Sequence, residues 1–201
     1  MPKAGPKSGS KAESTVINKV ISVDGVFRKP EPRKGGPRGS DPNVRALDDK
    51  IDEIIKDRLP VGPSGSPDPN AVSRGDKTKI QGNKENQRSL RRENESADAM
   101  ARAGYDVEQN PSGKPNGKNP DYMIEGRYFD CYSPSGGKVN KIRDHISTKV
   151  RTDQADSIVL NMDDTKASPA DLKRYMETHP IPNLKDVKIV QNGQVTDFFP
   201  F

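Results

Sequence analysis

The 201-residue chain has no tryptophan, one cysteine and two histidines, and aromatic side chains make up only 5% of it. A lone Cys131 excludes an internal disulfide framework. With only His145 and His179 beside it, a structural zinc site has too few Cys and His ligands. No apolar run approaches the roughly 18 residues of a membrane-spanning helix, so no stable membrane insertion is expected. The opening MPKAGPKSGSK lacks the apolar stretch of a signal peptide; if this chain leaves its cell, something else is expected to carry it. Hydrophobic residues, at 29%, are too few for a core running through the whole chain.

What is present is unevenly distributed. Residues 1–85 hold 10 of the 18 prolines and 10 of the 17 glycines, in tracts such as PEPRKGGPRGSDP and PVGPSGSPDPN. Such tracts bury too little apolar surface to offset chain entropy, so this region is expected to be a linker or delivery region, largely disordered. It carries 17 Lys+Arg against 12 Asp+Glu, net +5, whereas residues 86–201 carry 17 against 17. The basic charge therefore belongs to the tail, and an inference of nucleic-acid binding does not attach to the rest as a whole. It survives locally, in a surplus of eight basic over four acidic residues between Ser112 and Arg151. Within the tail, NVRALDDKIDEIIKDRLP spaces Val44, Leu47, Ile51, Ile54 and Ile55 as an amphipathic helix over 43–59, either a satellite helix or a partner-docking element. STVINKVISVDGVFRK can form a short hairpin around Asp24-Gly25.

Residues 86–201 are expected to be the folded domain, in the order α-β-β-β-α-β-α-β-β, an α/β arrangement with a mixed central sheet. Gly104 closes the first helix. GGKVNKIRDHISTKVRT puts Val139, Ile142, Ile146 and Val150 on one helical stripe, and SIVLNM is a buried strand. Ser168-Pro169 caps the third helix, and Asn192-Gly193 suits a type I′ turn in VKIVQNGQVTDFF.

The unusual stretch is KNPDYMIEGRYFDCYSP. Folded as a hairpin on Glu125-Gly126, it pairs Ile124 with Arg127, Met123 with Tyr128 and Tyr122 with Phe129, and sets Asp121 opposite Asp130. Like charges so placed destabilise a sheet. A shared proton, a basic side chain or a divalent cation could compensate; a bland pair of solvated edge aspartates is the alternative. Lys149 lies at the edge of the second helix's apolar stripe, where its stem can run along the sheet toward Asp130. On the first helix Glu93 falls within the stripe of Leu90, Ala97, Met100 and Ala101, a costly place for an unpaired acid. Glu95 points away, but the uncertain helix start keeps both in play. Cys131, on the opposite hairpin face, is expected in the core, and His145 on the wrong side of its helix for a metal ligand.

A helix-borne Glu, then Pro120-Asp121, an acid on the next strand and a nearby Lys resemble the PD-(D/E)XK nuclease superfamily. More specifically, RRENESADAMARAGYDVEQNP, GKNPDYMIEGRYFDCYSP and QADSIVLNMDD resemble the C-terminal tRNA nuclease domain of CdiA, the effector of contact-dependent growth inhibition. The resemblance covers residues 88–200. The superfamily's Lys two positions after the second acid is Tyr132 here, so either the lysine function has moved to Lys149 or the site lacks it. The resemblance implies metal-dependent hydrolysis of tRNA by a delivered toxin acting in the cytoplasm of a target bacterium, with a cognate immunity protein as partner. Asp121 and Asp130, helped by Glu93 or Glu95, would hold one or two ions, Mg²⁺ first, with Zn²⁺ or Mn²⁺ as alternatives. Lys149 would orient water or stabilise charge. Lys114 and Lys118, in SGKPNGKN, are candidate contacts to the tRNA backbone, and Tyr132 either contacts phosphate or packs. A DNase of the same fold and a non-catalytic nucleic-acid-binding module remain alternatives, and the oligomeric state stays open.

Overall fold

The computed structural model describes residues 46, 48–54, 59–113 and 116–201. Two units divide the chain, Met1–Lys56 and Asp57–Phe201. In the first, residues 46 and 48–54 are helical, inside the span where apolar spacing predicts a helix. Leu59 is a bend, so the helix stops short of the predicted end. The expected hairpin around Asp24-Gly25 lies outside the described residues.

The second unit is built on a seven-stranded sheet whose spatial order follows the sequence. Its strands are β1 (Arg74–Gly75), β2 (Val107–Gln109), β3 (Tyr122–Ile124), β4 (Arg127–Tyr132), β5 (Ser157–Asn161), β6 (Asp186–Gln191) and β7 (Gln194–Phe199). Three helices accompany them, α1 (Lys84–Arg102), α2 (Val139–Arg151) and α3 (Pro169–Thr178). The sheet is mixed: β4, β5 and β6 run parallel, β2–β3–β4 and β6–β7 antiparallel, and β1 joins β2 in parallel. The order expected from sequence is present, with β1 added in front.

Parallel strands require crossover connections, and α2 and α3 supply them for β4–β5 and β5–β6. Both pack on one face, where Ile142, Ile146, Leu172 and Met176 meet Ile158, Leu160, Val187 and Ile189. Helix α1 covers the other face, with Ala97 and Met100 against Tyr122, Phe129, Cys131 and Val159. Alternation along β5 sends Val159 to one layer and Ile158 and Leu160 to the other, so the whole strand is buried. Asn83 caps α1 by accepting from the Asn86 N–H, and Ser168 caps α3 by accepting from the Asp171 N–H at 3.1 Å.

The folded unit starts earlier than the boundary near Asn86 expected from composition. Residues 59–83 lie along the α1 layer as a strap. Val61 N–H donates to Asp186 at 2.8 Å, and Gly65 N–H donates to the Gly104 carbonyl at 2.9 Å. Gly104 is left-handed, with φ +95°, and a Cβ there would sit 2.4 Å from the Gly65 oxygen. Glycine is thus required twice over, by the helix end and by the strap.

Candidate active site

The β3–β4 hairpin has the register that the turn residues imply: Tyr122 opposite Phe129, Met123 opposite Tyr128, Ile124 opposite Arg127. Glu125 (φ 51°) and Gly126 (φ 77°) are both left-handed, as a type I′ turn demands. Extending the register by one position brings Asp121 opposite Asp130. Asp130 has no exposed surface, and Asp121 Oδ2 accepts from the Cys131 N–H at 2.7 Å. Burial, then hydrogen bonding to Asp130 and repulsion from it, pushes the Asp121 carboxyl well above the usual carboxylate range.

Lys149, in the last turn of α2, donates its ammonium to Asp130 Oδ2. Gln154 Nε2 donates to the other oxygen, Oδ1, at 3.2 Å. Burial works against the Lys149 charge, but the attraction and hydrogen bond of Asp130 outweigh it and raise the lysine's pKa. Lys149 is therefore a fixed cation beside the acid pair.

Glu93 is the third acid of the cluster. It is buried on α1, accepts from the Thr78 hydroxyl, and feels both Asp130 and Lys149. Burial raises its pKa against the hydrogen bonds of Thr78 and Gln109, which favour the charged form. Tyr122 OH donates to the Glu93 carbonyl at 2.6 Å and locks this turn of α1 to β3.

Glu95 does not reach the cluster. Helix α1 begins at Lys84, and with that phase Glu95 is exposed and pairs with Arg92 at 2.7 Å. Arg92 also binds Asp163 and Asp164, so Glu95 belongs to a surface ion network on the far side of the helix. Tyr132 is partly buried against the α2–α3 layer and stacks on His145, ring centroids 5.0 Å apart. Lys118 is exposed in a loop latched to the end of α2, where Asn116 Nδ2 donates to the Asp153 carbonyl at 3.0 Å. Lys114 lies outside the described residues. Cys131 faces the α1 core, where burial pushes its thiol up and away from nucleophilic use.

Three contributors escaped the sequence reading. Gln154 follows the end of α2, where no periodicity marks it. Thr78 sits in the strap, among residues assigned to the linker. Gln109 is fully buried at the end of β2, and nothing in YDVEQ distinguishes it from a surface residue.

The donor set of Asp121 and Asp130 is all oxygen, the chemistry of a hard divalent cation. Burial and repulsion from Asp130 raise the Asp121 carboxyl, and a cation would relieve the same repulsion. The residues present therefore fit such an ion, although among the described residues no group of three or more His, Cys, Asp or Glu side chains stands ready to hold one.

Residues 118–195 match the family described as Contact-dependent growth inhibition CdiA C-terminal domain. The chain is 46% identical over 114 residues to a protein of Burkholderia pseudomallei (strain 1026b) named tRNA nuclease CdiA-2. That alignment takes in 56% of this chain and 4% of the relative, so the chain spans a small part of that much longer protein. A solved structure from Burkholderia pseudomallei, a CdiA-CT/CdiI toxin and immunity complex, superposes with a TM-score of 0.60 at 42% identity, covering 64% of this chain and 99% of that one. The span, the identity and the shared fold agree: this chain belongs to the family of CdiA C-terminal toxin domains.

Proposed function

We propose that the Asp57–Phe201 unit is a PD-(D/E)XK-like endoribonuclease toxin that hydrolyses tRNA in the cytoplasm of a target bacterium and is neutralised by a cognate immunity protein. The observation that carries the reading is the Asp121–Asp130 pair, Asp130 fully buried with Lys149 seated on it, and Glu93 alongside. Similarity to a tRNA nuclease and to a toxin and immunity complex supports the substrate and the partner.

Each side chain has a definable task. Lys149 keeps its proton, so its ammonium can stabilise negative charge building on the scissile phosphate. Glu93, on the same cluster, is suited to take a proton from the attacking water. A hard divalent cation held by Asp121 and Asp130, Mg²⁺ or Mn²⁺ in preference to Zn²⁺ for an all-oxygen donor set, would supply Lewis acidity at the phosphate and a lowered pKa for that water. Lys114 and Lys118 would contact the tRNA backbone. Tyr132, stacked on His145, would pack the floor beside the site.

The test is incubation of the wild-type chain and Asp130→Ala with total tRNA and with plasmid, in Mg²⁺ or EDTA. The expected result is cleavage of tRNA alone, by wild type alone, in Mg²⁺ alone. Cleavage of plasmid alone would replace tRNA by DNA as substrate. Persistence in EDTA would remove the cation from the mechanism, and RNA binding without cleavage would make the domain a binding module.

A further inference from the structure

The acid on α1 is held by a segment that lies ahead of the helix. Thr78 is fixed to the same turn as Glu93 by a reciprocal pair: its N–H donates to Asn94 Oδ1 at 2.9 Å, and Asn94 Nδ2 donates to its carbonyl at 2.9 Å. Neighbouring contacts hold the strap on both sides. Ser73 N–H and the Lys77 ammonium bind Asp98, at 3.2 and 2.6 Å, and Arg74–Gly75 adds to the sheet beside β2.

The Thr78 hydroxyl is also fully committed. A hydroxyl has one proton to donate and two lone pairs. Asn110 Nδ2 donates to Thr78 Oγ1 at 2.9 Å and Gln109 Nε2 at 3.2 Å, so both lone pairs are occupied. The single proton then has one direction left, toward Glu93 Oε1, where the hydroxyl makes its remaining hydrogen bond. β2 connects this arrangement to the acid pair, because Asn110 N–H donates to the Asp121 carbonyl at 2.9 Å.

We propose that Thr78 is a positioning residue, whose hydroxyl fixes the rotamer of the Glu93 carboxylate at the active site. Thr78 then serves catalysis from the segment before α1, whereas its neighbour Lys77 only tethers that segment to Asp98. This rests on the nuclease reading, in which Glu93 acts on the attacking water.

Thr78→Val removes the hydroxyl and little else. The Asn94 pair uses backbone atoms of Thr78, Asn110 Nδ2 keeps the Asp76 carbonyl at 2.7 Å, and Gln109 Nε2 keeps Asn94 Oδ1 at 2.5 Å. The experiment compares wild type, Thr78→Val, Thr78→Ser, Lys77→Ala and Asp130→Ala in the full chain. It reads tRNA turnover over a range of tRNA concentrations, tRNA affinity by fluorescence anisotropy in EDTA, and thermal melting. Thr78→Ala serves if valine is not accommodated.

Thr78→Val is expected to lower kcat by about tenfold or more, with KM, tRNA affinity and melting temperature unchanged, since misplacing a reacting group acts on the chemical step. Serine at the same position should restore kcat, and Lys77→Ala, which breaks only the Asp98 contact, should leave it intact. Wild-type turnover by Thr78→Val beside an inactive Asp130→Ala would overturn the inference while leaving the nuclease reading standing. So would an equal loss in Thr78→Ser or in Lys77→Ala. Full activity of Asp130→Ala would instead sink the nuclease reading itself.

Discussion

Lys149 on α2 and Asp130 on β4, nineteen residues apart, form an ion pair in which the carboxylate has no exposed surface. Removing the cation leaves two facing acids, with Gln154 still donating to Asp130 Oδ1 at 3.2 Å. Lys149→Met is therefore expected to destabilise the domain by about 3 kcal/mol, the scale of breaking one partner out of a buried pair. It should also cut tRNA cleavage by about 10²–10³-fold, through lost stabilisation of phosphate charge. Urea denaturation and single-turnover cleavage measure the two separately. Loss of stability with undiminished cleavage would make Lys149 a structural counter-ion only.

Stability should peak at mildly acidic pH. The Asp121 carboxyl is raised well above its ordinary value, and burial pushes Asp186 to about 6 despite Lys188 beside it. Raised acids stabilise the fold fully below their unfolded pKa, about 3.9. That contribution is lost as pH climbs through the folded values. Asp164 has the opposite sign: hydrogen bonds from Arg92 and then Arg88, outweighing burial, hold it down at about 2. Its contribution is present above the unfolded pKa and disappears as pH falls through 2. Melting temperature should therefore be highest near about pH 4 and decline from there toward pH 8. Asp121→Asn, which mimics the protonated acid, should flatten that decline, raise the melting temperature at pH 8, and abolish cleavage. An unchanged pH slope in this variant would mean that Asp121 is ionised in the fold.

Several parts of the site are legible in the sequence because short-range rules determine them. The Glu125-Gly126 pair dictates the turn, the turn dictates the register, and the register brings Asp121 to Asp130. Helical phase carries Lys149 to the edge of the Ile142–Ile146 stripe and puts Glu93 on the packing face. Glu95 stays in contention only until the helix start is known, and the Asn83 cap, which decides it, lies in a stretch whose composition suggests linker. Thr78 and the strap are illegible for a different reason. Their hydrogen bonds join backbone groups of a proline- and glycine-rich segment to side chains far along the chain, as Val61 is joined to Asp186. No local propensity encodes such pairings.

The strap should prove necessary for both stability and catalysis. Asp186 and Lys188 have no exposed surface, and Val61 serves both, its N–H donating to Asp186 at 2.8 Å and its carbonyl accepting from Lys188 at 2.6 Å. Asp186 Oδ1 already lacks a partner, so the pair has little to spare. Deleting the strap would also free the Gly104 and Arg102 carbonyls that now accept from Gly65 and Asp68. Each buried polar group left unsatisfied costs about 1–3 kcal/mol. A fragment of residues 86–201 should therefore melt well below a fragment of residues 57–201. It should also cleave tRNA more slowly at temperatures where it remains folded, because the Thr78 contact to Glu93 goes with the strap. Calorimetry of the two fragments, followed by cleavage assays at a temperature below both transitions, separates the effects. Equal melting temperatures would show that these bonds exchange with water at no net cost.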